Sequence, residues 1–189
     1  ASAGVDAIGM VFYPESGRYV RPEVANAIIG ELPPFITTVG LFVDATREYI
    51  NTVLSKVSLD MLQFHGSETQ SDCQGYSRPW LKAVRMKDGV NLSQQIELYD
   101  KSSGLLLDTY VAGMAGGTGQ TFDWSIIPTV SSKPLILAGG LNPENVQEAI
   151  RQVRPYAVDV SGGVESSMGI KDKDKLIKFV QQVRDCSNE

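Results

Sequence analysis

Two hydrophobic periods alternate along this chain of 189 residues, and almost nothing else lies between them. Short runs of aliphatic, β-branched or aromatic residues span 5–13, 36–43, 59–64, 80–85, 105–108, 135–138 and 157–160. They carry too few polar interruptions for strands wetted on one face, and read as parallel strands covered on both. Between them, apolar residues recur at helical spacing: Tyr49, Ile50, Val53, Leu54 and Val57; then Val146, Ala149, Ile150 and Val153; then Leu176, Phe179, Val180 and Val183. Pro22-Glu23 opens the first helix. Asn142-Pro143-Glu144 offers a later one an N-cap, a proline at the first helical position and an early acid. The count is seven strands and seven helices, beginning on a strand and ending on a helix. No linker, charge block or low-complexity tract breaks the alternation, so 1–189 reads as a single α/β domain on a parallel sheet. A doubly wound open sheet and a closed (β/α)8 barrel both satisfy the pattern, with a small margin for the barrel.

Composition narrows the partners. Hydrophobic residues make up 42% and charged residues 21%, the balance of a globular domain. With 17 Lys+Arg against 22 Asp+Glu the net charge is −5, which argues against a general nucleic-acid surface. No apolar stretch approaches the roughly 20 residues a bilayer demands, and no basic-then-apolar leader opens the chain. Cys73 and Cys186 lie too far apart for a zinc spacing and are too few for a disulfide framework, so a reducing, cytoplasmic location is expected.

In both candidate architectures the chemistry sits just past the C-terminal ends of the strands. After the first strand, Arg18 in the loop 14–20 could grip a carboxylate or phosphate through two parallel hydrogen bonds, or could be a solvated surface arginine. Asp44 after the second strand is expected to close its loop or cap the next helix. After the third comes His65, the one histidine of the chain, followed by Gly66. Without histidine or cysteine partners nearby a metal site is not expected there; the ring could donate to a substrate, orient the loop or be purely structural. Lys82 on the fourth strand could face the barrel mouth or cap the strand. The fifth strand runs from Gly104 straight into Asp108, a carboxyl whose partial desolvation at an apolar rim suits it to proton donation near neutral pH. The glycine-dense connection 110–120 follows, with the composition of a lid or an anion-binding loop.

The last two strands end in Ala138-Gly139-Gly140-Leu141 and Val160-Ser161-Gly162-Gly163. In barrel enzymes the loops after strands seven and eight frequently bind phosphate through backbone N–H groups, where any Cβ would block the oxyanion. Two such loops on consecutive strands point to a phosphorylated small-molecule substrate.

Taken together, several segments resemble one family, phosphoribosylanthranilate isomerase of tryptophan biosynthesis. They are Gln63-Phe64-His65-Gly66, Leu107-Asp108-Thr109, Gly116-Gly117-Thr118-Gly119, Phe122-Asp123-Trp124-Ser125, 138–145 and 158–165. The likeness runs from Gly4 to the last helix. It implies a (β/α)8 TIM barrel that turns N-(5′-phosphoribosyl)anthranilate into 1-(2-carboxyphenylamino)-1-deoxyribulose 5-phosphate. That reaction is an Amadori rearrangement needing neither metal nor cofactor. By this resemblance Asp108 is the general acid and Arg18 holds the anthranilate carboxylate. Gly139, Gly140, Ser161 and Gly162 cradle the phosphate, and His65 and Asp159 are further substrate-binding positions. A monomer or homodimer is expected.

One departure stands at the start. The family opens on a strand carrying Lys-Ile-Cys-Gly, whose cysteine is the base, whereas residues 1–9 here resemble the end of the first helix and the second strand. Residues 1–189 are therefore expected to hold seven β-α units and to lack a first one of the order of 20 residues. Neither Cys73, in the helix after the His65 strand, nor Cys186, near the C-terminal tail, stands where the base belongs. Two rival readings remain: another phosphosugar barrel, such as a pentose-phosphate epimerase or indole-glycerol-phosphate synthase, or a non-catalytic module that binds a phosphorylated ligand. An epimerase would want several ligating histidines, and the synthase a catalytic lysine that has no evident counterpart.

Overall fold

The computed structural model describes residues 1–87, 89–109, 123–128 and 131–187. Along the chain these form β1 (Ala7–Val11), α1 (Pro22–Gly30), β2 (Thr37–Phe42), α2 (Arg47–Lys56), β3 (Met61–Phe64), α3 (Gln70–Cys73), β4 (Trp80–Met86), α4 (Leu92–Leu98) and β5 (Gly104–Thr109). There follow β6 (Leu135–Leu137), α5 (Val146–Val153), β7 (Ala157–Val158), β8 (Glu165–Ser167), β9 (Ile170–Lys171) and α6 (Lys173–Ser187). All seven expected strands are present. The chain divides into two compact units, Ala1–Ala83 with Lys101–Ser103, and Val84–Asp100 with Gly104–Glu189.

In the first unit β1, β2, β3 and the start of β4 pair in parallel, in chain order, with Gly9 opposite Val39, Leu41 opposite Gln63 and Phe64 opposite Lys82. The core is aromatic: Phe12 stacks on Phe42 at 5.5 Å between centroids, Phe42 lies 6.4 Å from Phe64, and Phe64 meets Trp80 edge-on at 6.0 Å. Such pairs add about 0.5–1.5 kcal/mol each beyond the area they bury. Helix starts follow local chemistry. Pro22 takes the first position of α1, and Thr46 caps α2 by accepting the Tyr49 N–H at 3.2 Å. On α2 the apolar spacing resolves into a buried face of Ile50 and Val53.

In the second unit every residue of β5 is buried, and Leu105, Leu106 and Leu107 are almost wholly shut off from solvent. Full burial of a leucine is worth roughly 1.5–3 kcal/mol, so β5 anchors this unit. It pairs in parallel with β6, and β6 with β7, Leu137 standing opposite Val158. Val146, Ala149 and Val153 give α5 its buried face.

Three expectations change. Among the described residues six α-helices occur, not seven. After β5 the described stretch holds only a 3-10 turn, Trp124–Ile126, capped by Asp123; the glycine-dense segment 110–122 lies outside the described residues. Next, α5 begins at Val146, because the Asn142 carboxamide oxygen accepts from Glu144 N at 2.9 Å and Asn145 N at 3.0 Å and folds 143–145 into a turn. Pro143 therefore opens that turn, and the helix starts three residues later. Last, β8 and β9 form an antiparallel hairpin that periodicity could not register, being three and two residues long and reversing near Gly169 at φ +81°.

Candidate active site

At the C-terminal ends of β1 to β3 the first unit presents a set of loops tied together by buried polar groups. The loop after β1 turns on Ser16, whose hydroxyl accepts the Arg18 N–H at 3.1 Å and whose carbonyl accepts from Tyr19 N at 3.0 Å. Val20 N then bonds Val11 O at 2.9 Å, which brings the half-buried Arg18 back beside the end of β1. Asp44, at φ +46°, closes the loop after β2: its Oδ1 accepts from Ser67 N at 2.6 Å, and its own N–H goes to Glu68 Oε1 at 2.8 Å. The helix cap is Thr46, so of the two roles open to Asp44 it takes loop closure. Gly66 is required here, since a Cβ would run into the Asp44 carboxylate and backbone.

His65 stands one residue beyond β3. Its N–H continues the ladder to Phe42 O at 2.8 Å, and its Nδ1 lies 3.0 Å from Gln63 Nε2. Lys82 is neither at a mouth nor a simple cap. Its ammonium is buried and donates to Gly66 O at 2.8 Å, Phe64 O at 3.3 Å, Ala83 O at 3.2 Å and Glu68 Oε2 at 3.1 Å. Gly66 N also donates to Glu68 Oε2, at 2.9 Å. Glu68 is the residue the sequence reading missed: an acid in a short glycine-containing loop reads as solvated, and only the buried Lys82 reveals otherwise.

In the second unit Asp108 and Thr109 are the last two residues of β5, 5% and 8% exposed. The Thr109 N–H bonds Asp108 Oδ1 at 2.9 Å, and the Thr109 hydroxyl is buried with no hydrogen-bond partner among the described residues. Gly139 (φ +79°) and Gly140 (φ +68°) take left-handed conformations just after β6. Gly139 lies against the end of β5: a Cβ there would collide with Thr109 N and Oγ1 and come within 2.8 Å of Asp108 Oδ1. The turn is braced by Asn145, whose Nδ2 donates to Gly140 O at 3.0 Å while its Oδ1 accepts from Asn142 N at 2.8 Å.

After β7, Asp159 is exposed and its N–H bonds Leu137 O at 2.8 Å. Ser161 leads into a 3-10 turn, Gly162–Val164. Lys171 Nζ holds Ser161 O at 2.9 Å. A Cβ on Gly163 would strike the Leu141 carbonyl and lie 3.0 Å from Asn142 Cα, so the two glycine turns meet backbone to backbone. The second unit thus brings together Asp108, the Gly139-Gly140 turn and the Ser161-Gly162 turn. Asp159 stands on its solvent-exposed flank. Arg18 and His65 belong to separate loops of the first unit. Among the described residues no cluster of His, Cys, Asp and Glu suits a metal ion.

This arrangement can hold an anion on backbone N–H groups beside a shielded carboxyl. Comparison with known proteins decides what it belongs to. The model of the N-(5′-phosphoribosyl)anthranilate (PRA) isomerase family matches residues 1–182. The chain belongs to this family. It is 59% identical over 184 residues to the N-(5′-phosphoribosyl)anthranilate isomerase of Stutzerimonas stutzeri, covering 97% of this chain and 89% of that one. It is 60% identical over 183 residues to that of Pseudomonas syringae pv. tomato, with the same coverage. The crystal structure of phosphoribosyl anthranilate isomerase from Thermotoga maritima superposes with a TM-score of 0.89 at 42% identity, over 97% of this chain and 90% of its own. A second structure of the isomerase, in complex with reduced 1-(o-carboxyphenylamino)-1-deoxyribulose 5-phosphate, superposes at 0.85 with 40% identity over the same shares. The (β/α)8 class expected from the sequence is thereby borne out, with seven parallel strands among the described residues. The isomerase family also disposes of the rival phosphosugar barrels.

Proposed function

We propose that this protein is an isomerase of tryptophan biosynthesis that converts N-(5′-phosphoribosyl)anthranilate into 1-(2-carboxyphenylamino)-1-deoxyribulose 5-phosphate. The observation that carries the reading is the family match over 1–182, falling on a chain whose Asp108 sits shielded at the end of β5 against Gly139. Asp108 protonates the furanose ring oxygen. The bond from that oxygen to C1 breaks as the anthranilate nitrogen lone pair forms the C1=N bond. Loss of the C2 proton to the base then gives the enolamine, which tautomerises to the ketone. The paired turns at Gly139-Gly140 and Ser161-Gly162 hold the phosphate on backbone N–H groups, Arg18 holds the anthranilate carboxylate, and His65 and Asp159 complete the substrate contacts. No step calls for a metal or cofactor.

Neither cysteine of 1–189 serves as the base. Cys73 is fully buried and burial pushes its thiol up to about 12, and Cys186 lies on α6 with Sγ 3.8 Å from Gln147 O. We propose further that 1–189 acts as one barrel domain, which the unbroken family match over both units supports. A cytoplasmic location fits two cysteines that are both free thiols. No described helix is long and apolar enough to cross a membrane. The assembly is a monomer or a homodimer; the Thermotoga maritima isomerase is dimeric, and monomers have been generated from it.

The test is Asp108→Asn in the full-length protein, followed by loss of substrate fluorescence. Turnover falls roughly 10²–10⁴-fold, the usual worth of a positioned acid, while the reduced product analogue still binds. Unchanged turnover would remove Asp108 from the mechanism. Arg18→Ala separates its partner: it weakens binding of anthranilate, and an effect confined to ribose phosphate would assign Arg18 to the wrong end of the substrate.

A further inference from the structure

The short antiparallel hairpin β8–β9 brings a lysine back to the turn that precedes it. Its register sets Lys171 opposite Glu165, and Lys171 Nζ reaches Glu165 Oε1 at 3.1 Å. The Glu165 side chain is 5% exposed, so the ammonium is tethered to a buried carboxylate. The same Nζ donates to Ser161 O at 2.9 Å, ten residues back, at the entrance of the 3-10 turn Gly162–Val164. The far end of that turn is fixed as well. Asp172 N donates to Val164 O at 2.8 Å, and Lys175 Nζ, on α6, to Glu165 O at 2.9 Å.

A trans peptide is planar, and its C=O and N–H point in opposite directions. A grip on Ser161 O therefore also aims the Gly162 N–H, away from Lys171. Glycine leaves this peptide plane easy to rotate, and a plane turned over would set a carbonyl against the acceptor oxygens of a phosphate. Among the described residues the Gly162 N–H donates to no protein group, so its partner is water or a ligand. We propose that Lys171 is a positioning residue of the phosphate cradle, which by holding Ser161 O turns the Gly162 N–H toward the phosphate. The other turn has a comparable brace in Asn145 Nδ2, which ties back Gly140 O at 3.0 Å. The inference rests on the reading of these two turns as the phosphate cradle, and adds the group that orients one of them.

The test follows the backbone amide signals of ¹⁵N-labelled full-length protein while inorganic phosphate is raised to saturation. In the wild type phosphate moves the Gly162 amide proton downfield, as a new hydrogen bond to an anion does, and moves amides of the Gly139-Gly140 turn as well. Lys171→Met abolishes the Gly162 movement at saturation and leaves the Gly139-Gly140 amides responding. Read at saturation, the shift reports geometry and not affinity. A lysine that merely lent its charge would weaken binding yet leave the saturated Gly162 shift intact, and that result overturns the proposal. If Lys171→Met does not fold, because Glu165 loses its Lys171 partner, Lys171→Met with Glu165→Gln is read in the same way. Affinity for the reduced product analogue falls roughly tenfold in the variant, the scale of one lost hydrogen bond. Inhibition by anthranilate, which has no phosphate, is unchanged; an equal loss for both ligands would place the effect outside the cradle and overturn the proposal. Wild-type amides that ignore phosphate in both turns overturn the cradle reading itself, and turnover decides the isomerase reading separately.

Discussion

Lys82 Nζ and Glu68 Oε2 lie 3.1 Å apart with side chains 3% and 4% exposed, so a complete ion pair occupies the interior beside the end of β3. Its carboxylate also accepts from the Asp44 and Gly66 N–H groups, and its ammonium also donates to three backbone carbonyls. Desolvation of two such ions is costly, and removing one partner leaves the other uncompensated. Lys82→Met is expected to cost about 3–5 kcal/mol in urea unfolding, and Lys82→Met with Glu68→Gln to regain part of that. Equal losses in the single and double variants would show that Glu68 carries no charge inside.

Gly139→Ala is expected to hurt twice. An L-residue in the left-handed region costs about 1–2 kcal/mol, and at φ +79° Gly139 has no room for a Cβ beside Thr109 N and Asp108 Oδ1. The melting temperature falls, and turnover falls further than destabilisation explains, because the clash displaces Asp108. A variant that melts lower yet turns over normally at low temperature would separate Gly139 from the acid.

Cys73→Ala leaves kcat and kcat/KM unchanged. With its thiol pushed up to about 12 by burial, Cys73 holds about one thiolate in 10⁵ molecules near pH 7. The substitution costs on the order of 1 kcal/mol of stability for the vacated volume. A fall in kcat at constant fold would make this thiol part of the reaction after all.

Acid sensitivity is expected at Asp60. Thr38 N–H and the Thr38 hydroxyl each reach Asp60 Oδ2 at 2.8 Å, and these bonds hold its carboxyl below the ordinary 3.8. A lowered folded value means the contribution is complete above the unfolded value and is lost as pH falls through the folded one. Melting temperatures of wild type and Asp60→Asn should therefore differ at pH values above roughly 4 and converge at lower pH. A gap that widens on acidification would reverse the sign.

Strand positions were legible because parallel strands buried on both faces leave little ambiguity: β5 is expected at 105–108 and found at Gly104–Thr109. The glycine turns were legible too, since positive φ at Gly139 and Gly140 is what glycine supplies. The start of α5 was not, because Asn142 can cap a helix or fold an Asx turn with the same residues, and the neighbouring Asn145 decides between them. Nor were Glu68 and Gln63. Their partners come from a different strand or from two residues along the same face, and pairing of that kind leaves no local mark on composition.

The order of strands in the first unit bears on how the chain is made. Ala7, Val39 and Leu62 find their partners 30, 22 and 18 residues further on, always in the next strand. Each of these three pairings can therefore form as soon as the next β-α unit leaves the ribosome.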